Sequence, residues 1–246
     1  MRTLIMICSS LVFGLSAKAQ SGKVVYNETR KLEIHLEGGD ASEMANLLPK
    51  ERKSIHVLYY SPDASLYTNS KQTDDQDVAE DVEGDKKVVI KMNEPQDQVF
   101  LDFKNKKKVE QRDFLSRMFL IESAPDSLPW KLTGAHKEIL GFQCMEASYM
   151  KDSTKTSAWF APTLSISGGP ANYTGLPGLI LEVSTNNGKR VISAVSVTPG
   201  DVSGMIIKPK QGKKVTKEEF RKIVEEKAGP NKGEGGGTIM IRVEQH

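Results

Sequence analysis

A two-residue alternation of apolar and polar side chains constrains this chain more than any other feature. In Gln98–Phe103, Val99, Leu101 and Phe103 fall on one face of an extended strand, opposite Phe100, Asp102 and the following Lys104. A helix would scatter that set round its axis, whereas a pleated strand lines it up. The same pattern predicts strands at Lys23–Leu36, Ser54–Tyr60, Ser65–Asn69 and Lys87–Met92. It predicts more near Lys107–Asp113, Met118–Glu122, Lys137–Met150, Lys155–Ala161, Leu179–Thr185 and Arg190–Thr198. Asn186-Asn187-Gly188 separates the last two and accepts positive φ, which marks a hairpin. Gly233–Gly237 leads into a terminal strand, Thr238–Val243. The fold class that follows is mainly β: a curved antiparallel sheet forming an open half-barrel, with one or two packed helices.

The helices announce themselves by their ends. Thr216 with Glu219 three residues on makes a capping box, and Phe220, Ile223 and Val224 form an apolar stripe that stops at Gly229-Pro230. Such a stripe packs on a sheet. Asp40 or Ser42 starts a shorter helix through Leu48, ended by Pro49.

Charge is distributed in blocks. Gln72–Asp85 carries Asp74, Asp75, Asp77, Glu80, Asp81, Glu83 and Asp85 but lacks the Gly-centred ligand spacing of a calcium loop, so it reads as a solvated loop between strands. Lys104–Lys108 (KNKKK) reads as a charged hairpin tip that protects strand ends from stray pairing.

Residues 1–19 read as a secretory signal peptide. Arg2 supplies the positive start, Leu4–Leu15 an apolar run too short to span a bilayer, and Ala17-Lys18-Ala19 the cleavage pattern, so the mature chain begins at Gln20. Gln20, not Cys, follows the cleavage site, which argues against a lipidated N-terminus. Residues 20–246 then form a single β-rich domain with no transmembrane span, placed in the periplasm, at the outer-membrane periphery, or outside the cell. Removing Arg2 and Lys18 takes Lys+Arg from 34 to 32, equal to the 32 Asp+Glu, so charge gives no argument for nucleic acid. Cys144 is then the sole cysteine and has no internal disulfide partner, leaving stability to the core.

No catalytic or metal-binding pattern is visible, and no cofactor is implied. His35, His56, His136 and His246 stand far apart, without ligand spacing. There is no G-x-S-x-G elbow, Walker loop, H-E-x-x-H or C-x-x-C. Cys144 lies in an alternating run and reads as a half-buried strand residue. Asp126-Ser127-Leu128 and Asp152-Ser153-Thr154 resemble an O-glycosylation acceptor pattern of some bacterial envelopes, a match short enough to arise by chance.

The densest segment is Trp159–Val183. Trp159 and Phe160 place a large aromatic on each face at a strand end, and Pro162 ends the ladder. Gly168-Gly169-Pro170 makes a tight turn, and Gly175 and Gly178 flank Leu176-Pro177 where the backbone must bend sharply before the strand from Leu179. These features define a structural clasp over a sheet end. Trp159, Phe160, Pro162, Gly175, Leu176, Pro177 and Gly178 are also the candidate ligand or partner loop, since loops on rigid scaffolds often carry binding.

Gly175-Leu176-Pro177-Gly178-Leu179-Ile180 resembles the signature of the GLPGLI family of bacterial envelope proteins. Phe119-Leu120-Ile121, Trp130-Lys131-Leu132, Ile139–Cys144, Ala158-Trp159-Phe160 and Ser167–Pro170 fall in the order that family shows. The resemblance implies export across the inner membrane of a Gram-negative cell and association with outer-membrane transport functions; it carries no catalytic residues. The alternation also resembles, at fold level, the half-barrel of periplasmic lipoprotein carriers. On that analogy the faces Val99-Leu101-Phe103 and Leu179-Leu181-Val183 line an apolar cavity under the Trp159 loop. The function expected from sequence is a non-enzymatic envelope protein that binds a hydrophobic small molecule or lipid, or an outer-membrane transport protein. An assembly component or an envelope enzyme with an unrecognised site are the alternatives.

Overall fold

In the computed structural model, which describes residues 21–32, 50–70, 78–82, 86–92, 95–228 and 239–245, the alternation becomes one long ladder. The first strands are β1 (Gly22–Lys31), β2 (Glu51–Tyr60) and β3 (Ala64–Asn69), then β4 (Val78–Val82) and β5 (Lys86–Met92). They continue as β6 (Gln98–Asp102), β7 (Lys107–Phe114), β8 (Arg117–Ser123), β9 (Lys131–Ile139) and β10 (Phe142–Lys151). The remainder are β11 (Thr154–Ala161), β12 (Leu179–Thr185), β13 (Arg190–Pro199), β14 (Lys213–Val215), helix α1 (Lys217–Ala228) and β15 (Ile239–Gln245).

Twelve strands form one sheet in the order β14-β8-β7-β6-β3-β2-β1-β13-β12-β11-β10-β9. Its end strands, β14 and β9, do not pair with each other, so the sheet stays open and does not close into a barrel. All pairings in it are antiparallel except β14 on β8. A second sheet, β15-β5-β4, has three strands. Among the described residues no helix is long and apolar enough to cross a membrane.

Register explains the core. β1 and β2 pair Gly22 with Tyr60, Val24 with Leu58 and Tyr26 with His56, so these residues share one face. Val24, Tyr26, Leu58 and Tyr60 join Leu179, Leu181, Ile192 and Cys144 in the main buried cluster. The Tyr26 hydroxyl is satisfied by donating to the Ile180 carbonyl at 2.7 Å. On the opposite face Leu66, Phe100, Val109 and Leu120 pack together with Ile206 against them.

Helix α1 matches its sequence signature atom for atom. The Glu219 amide donates to Thr216 Oγ1 at 3.1 Å, and the Thr216 amide donates to Glu219 Oε2 at 2.8 Å. Phe220 and Val224 bury against Phe119 and Ile121 of β8. The expected Asn186-Asn187-Gly188 turn joins β12 to β13 with φ of 53°, 53° and 81°.

Several expectations are corrected. The run Lys137–Met150 is not one strand: β9 and β10 meet at a two-residue turn, Leu140-Gly141, with φ of 53° and 81°. Leucine is a poor residue for positive φ, so the turn is invisible to turn chemistry. The acidic Gln72–Asp85 segment is not loop throughout. Its middle is β4, whose register with β5 sets Asp81 across from Lys87. In KNKKK the turn ends at Lys106, and Lys107 and Lys108 belong to β7. Lys108 is only 1% exposed, the reverse of a solvated tip. β14 has no alternating signal, being three residues long. The expected helix from Asp40 or Ser42 to Leu48, the end of the first predicted strand and Gly233–Gly237 lie outside the described residues.

Candidate functional site

Inward-facing residues of β1 change character part-way along the strand. Val24 and Tyr26 are apolar core, but the next two positions of the same parity are Glu28 and Arg30. β2 does the same, passing from Tyr60 and Leu58 to His56, Ser54 and Arg52. One half of the sheet's inner face is thus dry core and the other half is charged. Over the charged half lies a pocket of about 490 Å³, within the usual size for a small-molecule site. Its far wall comes from Asp126–Pro129, Tyr149–Lys151 and Ala171–Tyr173, with Lys217 at the start of α1.

Two buried glutamates organise the site. Glu28, 3% exposed, is clamped by Arg190, whose Nε and Nη2 donate to its two oxygens at 2.9 and 3.0 Å. Arg30 Nε also donates to it. Burial alone would raise the Glu28 carboxyl, but the guanidiniums of Arg190 and Arg30 overcome this and hold it at about 2. His56 approaches the same carboxylate at 3.7 Å, and burial drives its pKa down to about 4, so the ring is neutral near pH 7.

Glu110 is the second anchor. It takes Arg112 Nη2 at 2.6 Å, Lys108 Nζ at 2.9 Å and Asn172 Nδ2 at 3.1 Å. Burial would raise its pKa, but Arg112 and Lys108 bring it below the usual value. Arg112 Nη1 reaches Asp97 at 2.9 Å, and its own pKa is raised by these two carboxylates against the effect of burial. Lys108 and Lys217 meet on Asp126 at 2.6 and 3.0 Å, tying α1 and the far wall to the sheet.

Between the two anchors Tyr67 stacks on His56, with ring centroids 5.0 Å apart, and meets Tyr26 edge-on. Its buried hydroxyl has no hydrogen-bond partner among the described residues, and burial pushes its pKa well above the ordinary tyrosine value.

Among the described residues of the site no nucleophile is assembled. Ser54 Oγ lies 3.0 Å from His56 Nε2, but Glu28 approaches that same nitrogen. A base relay needs hydroxyl and carboxylate on opposite ring nitrogens. Cys144 is buried in the core, and burial raises its pKa, which keeps it a thiol. Among the described residues no group of His, Cys, Asp and Glu is placed to hold a metal ion.

The residues expected from sequence to form a ligand loop lie elsewhere. Trp159 packs against the main core with Lys137 Nζ 4.4 Å from its ring centroid, and Phe160 and Leu176 are buried in a second apolar cluster. Pro162, Gly175 and Pro177 are exposed. Gly178 is fixed by close approach: a Cβ there would strike the Ala161 carbonyl oxygen and sit 2.7 Å from its carbon. The segment is pinned by Leu179 and Ile180 amides donating to the Leu164 and Gly168 carbonyls, and by Trp130 Nε1 donating to the Thr174 carbonyl. From this stretch only Ala171, Asn172 and Tyr173 line the pocket. The proposed apolar faces divide as well: Leu179 and Leu181 are core, and Val99 alone of both sets reaches the pocket. The pocket lining carries a sequence signal of its own: Glu28, Arg30 and His56 continue the core parity of their strands.

Residues 149–182 match a family model described as a protein of unknown function, Porph_ging. That stretch holds the Gly175–Ile180 hexapeptide and the clasp up to Glu182, including the pocket residues Ala171–Tyr173. No curated protein matches the chain significantly. Among solved structures, PNGF-II in one crystal form is similar with a TM-score of 0.56 at 15% identity, over 84% of this chain and 33% of that one. A second crystal form of PNGF-II gives 0.55 at 16% identity, with the same coverages. At this identity the likeness is one of fold, and the chain spans about a third of PNGF-II.

Proposed function

We propose that this protein is a non-enzymatic binding protein of the cell envelope, and that the pocket on the charged half of the sheet is its ligand site. One observation carries the reading. An open sheet interrupts its apolar inner face with two buried glutamates and the cations around them, leaving a cavity of about 490 Å³ where a core would fill the space. Burying such charge costs stability that apolar packing would not, and a ligand site is a sufficient reason to keep it. The envelope location rests on the signal pattern of residues 1–19 and on the resemblance carried by Gly175–Ile180.

The lining favours a polar ligand over the hydrophobic small molecule or lipid that the half-barrel analogy suggests. Charged groups facing a cavity are stripped of water by an apolar guest and gain nothing in return. An outer-membrane transport partner rests on the family resemblance alone. Native mass spectrometry of protein purified from the envelope fraction tests the proposal. An adduct of small-molecule mass, lost when Ala171→Trp fills the pocket, supports it. Repeated absence of any adduct, with no small molecule perturbing pocket residues, refutes it.

A further inference from the structure

The pocket's charges are stacked in depth. The Glu28 carboxylate is 3% exposed as a side chain, while Arg190 and Arg30 upon it are 28% and 31% exposed; Glu110 is 4% exposed and Arg112 upon it 18%. The two glutamates therefore act as struts, and the guanidiniums upon them are the more exposed groups. Arg190 spends its Nε and one Nη2 hydrogen on Glu28, which leaves its Nη1 group outside the clamp. Arg112 binds its carboxylates through both Nη atoms, which leaves its Nε outside them. Arg52 lies opposite Arg30 in the β1–β2 register and brings a further guanidinium to the same wall. Among the described charged lining residues, Arg30, Arg52, Arg112, Lys151, Arg190 and Lys217 outnumber Glu28, Asp97 and Asp126. Facing them, Leu128, Pro129, Tyr149 and Tyr173 offer an apolar and aromatic wall.

Resting on the proposed ligand site, the geometry points to a small organic oxyanion as its occupant, with a carboxylate or phosphate group on the Arg30–Arg52–Arg190 wall and the carbon body against Leu128, Pro129, Tyr149 and Tyr173. A planar guanidinium whose orientation is already fixed matches two oxygens of one anion without losing rotamer freedom on binding. Like charge at the pocket surface also rejects cationic guests.

The test uses a matched series on the purified protein: benzoate, phenyl phosphate and benzyl alcohol, followed by amide chemical-shift perturbation. The expected result is that benzoate or phenyl phosphate shifts amides around Arg52, Arg190 and Tyr173, that their order names the preferred headgroup, and that benzyl alcohol binds at least about tenfold more weakly. Arg52→Glu should weaken benzoate by about tenfold or more, and Arg52→Lys by less. Arg52 is chosen because Arg190→Met would strand the buried Glu28; thermal melts check that the Arg52 variants fold. Equal binding of benzyl alcohol and benzoate, unchanged by Arg52→Glu, overturns the oxyanion inference and leaves the ligand site standing. Pocket amides that none of the three probes moves overturn the oxyanion inference, and the envelope-derived adduct then decides the ligand site separately.

Discussion

His56 offers the most direct quantitative check on the buried charge network. It sits among Glu28, Arg190, Arg30, Asp97 and Tyr67, and burial holds its pKa at about 4 against an ordinary 6.5. Between those values the unfolded chain takes up a proton that the folded protein refuses. Stability therefore falls as pH drops through this window, with the imidazole contribution intact above 6.5 and spent below 4. At ~1.4 kcal/mol per decade of proton affinity, that gap amounts to about 3 kcal/mol. Glu28 shifts in the same downward direction, in a lower window. Its carboxyl, at about 2 instead of 4.5, adds stability that is present above 4.5 and disappears as pH falls toward 2. Urea unfolding followed by circular dichroism from pH 7 to pH 4 reads the first limb apart from most of the second. The parent should lose about 3 kcal/mol across it, and His56→Gln should flatten the profile there. A His56→Gln profile with the parent's slope between pH 6.5 and 4 would refute the assignment.

Other outcomes follow from single contacts. Lys108→Met removes the amine shared by Glu110 and Asp126, leaving Glu110 on Arg112 and Asn172 and Asp126 on Lys217, and should cost about 1–3 kcal/mol, less if Glu110→Gln is added; denaturant midpoints compare the two. Gly178→Ala drives a methyl into the Ala161 carbonyl and should destabilise by more than about 2 kcal/mol, whereas Gly204→Ala, with open space around it, should stay within about 0.5 kcal/mol. Thr216→Ala removes half of the capping box and should cost about 1 kcal/mol in thermal unfolding. Leu140→Asn relieves positive φ on a 46% exposed leucine and should raise stability by up to about 1 kcal/mol.

The strands and α1 were legible because their signals are local. Period two in Gln98–Phe103, the Thr216–Glu219 box and the Asn186–Gly188 turn each lie within a few residues. Leu140-Gly141 escaped because a leucine occupies a turn position that ordinarily asks for Asn or Gly. Lys108 escaped for a different reason. A lysine in a cationic run looks solvated until Asp126, from a distant loop, arrives beside it. The site was illegible for that same cause, since Glu28 and Arg190 are 162 residues apart and meet only through the β1–β13 pairing. What the sequence did offer was parity, with a glutamate standing where the next core residue was due. In the aromatic and glycine-rich clasp, Gly178 packs against the Ala161 carbonyl, and Phe160 and Leu176 are buried.

The position of β1 near the middle of the sheet sets the order in which this protein can be completed. Strands β2 to β8, with β4 and β5 set aside, follow one another as a meander on one flank, and β9 to β13 form a second meander on the other. β1 alone joins them, pairing Gly22 with Tyr60 on one side and with Pro199 on the other. A chain emerging amino-end first can assemble the first flank early, but the joint waits until β13 exists. Closing so long a loop is a slow step in folding. The pocket straddles this seam, because Glu28 belongs to β1 and its clamp Arg190 to β13. The clamp on Glu28 therefore forms only when β13 pairs with β1, and a chain lacking that pairing presents an unclamped Glu28 and an uncovered strand edge.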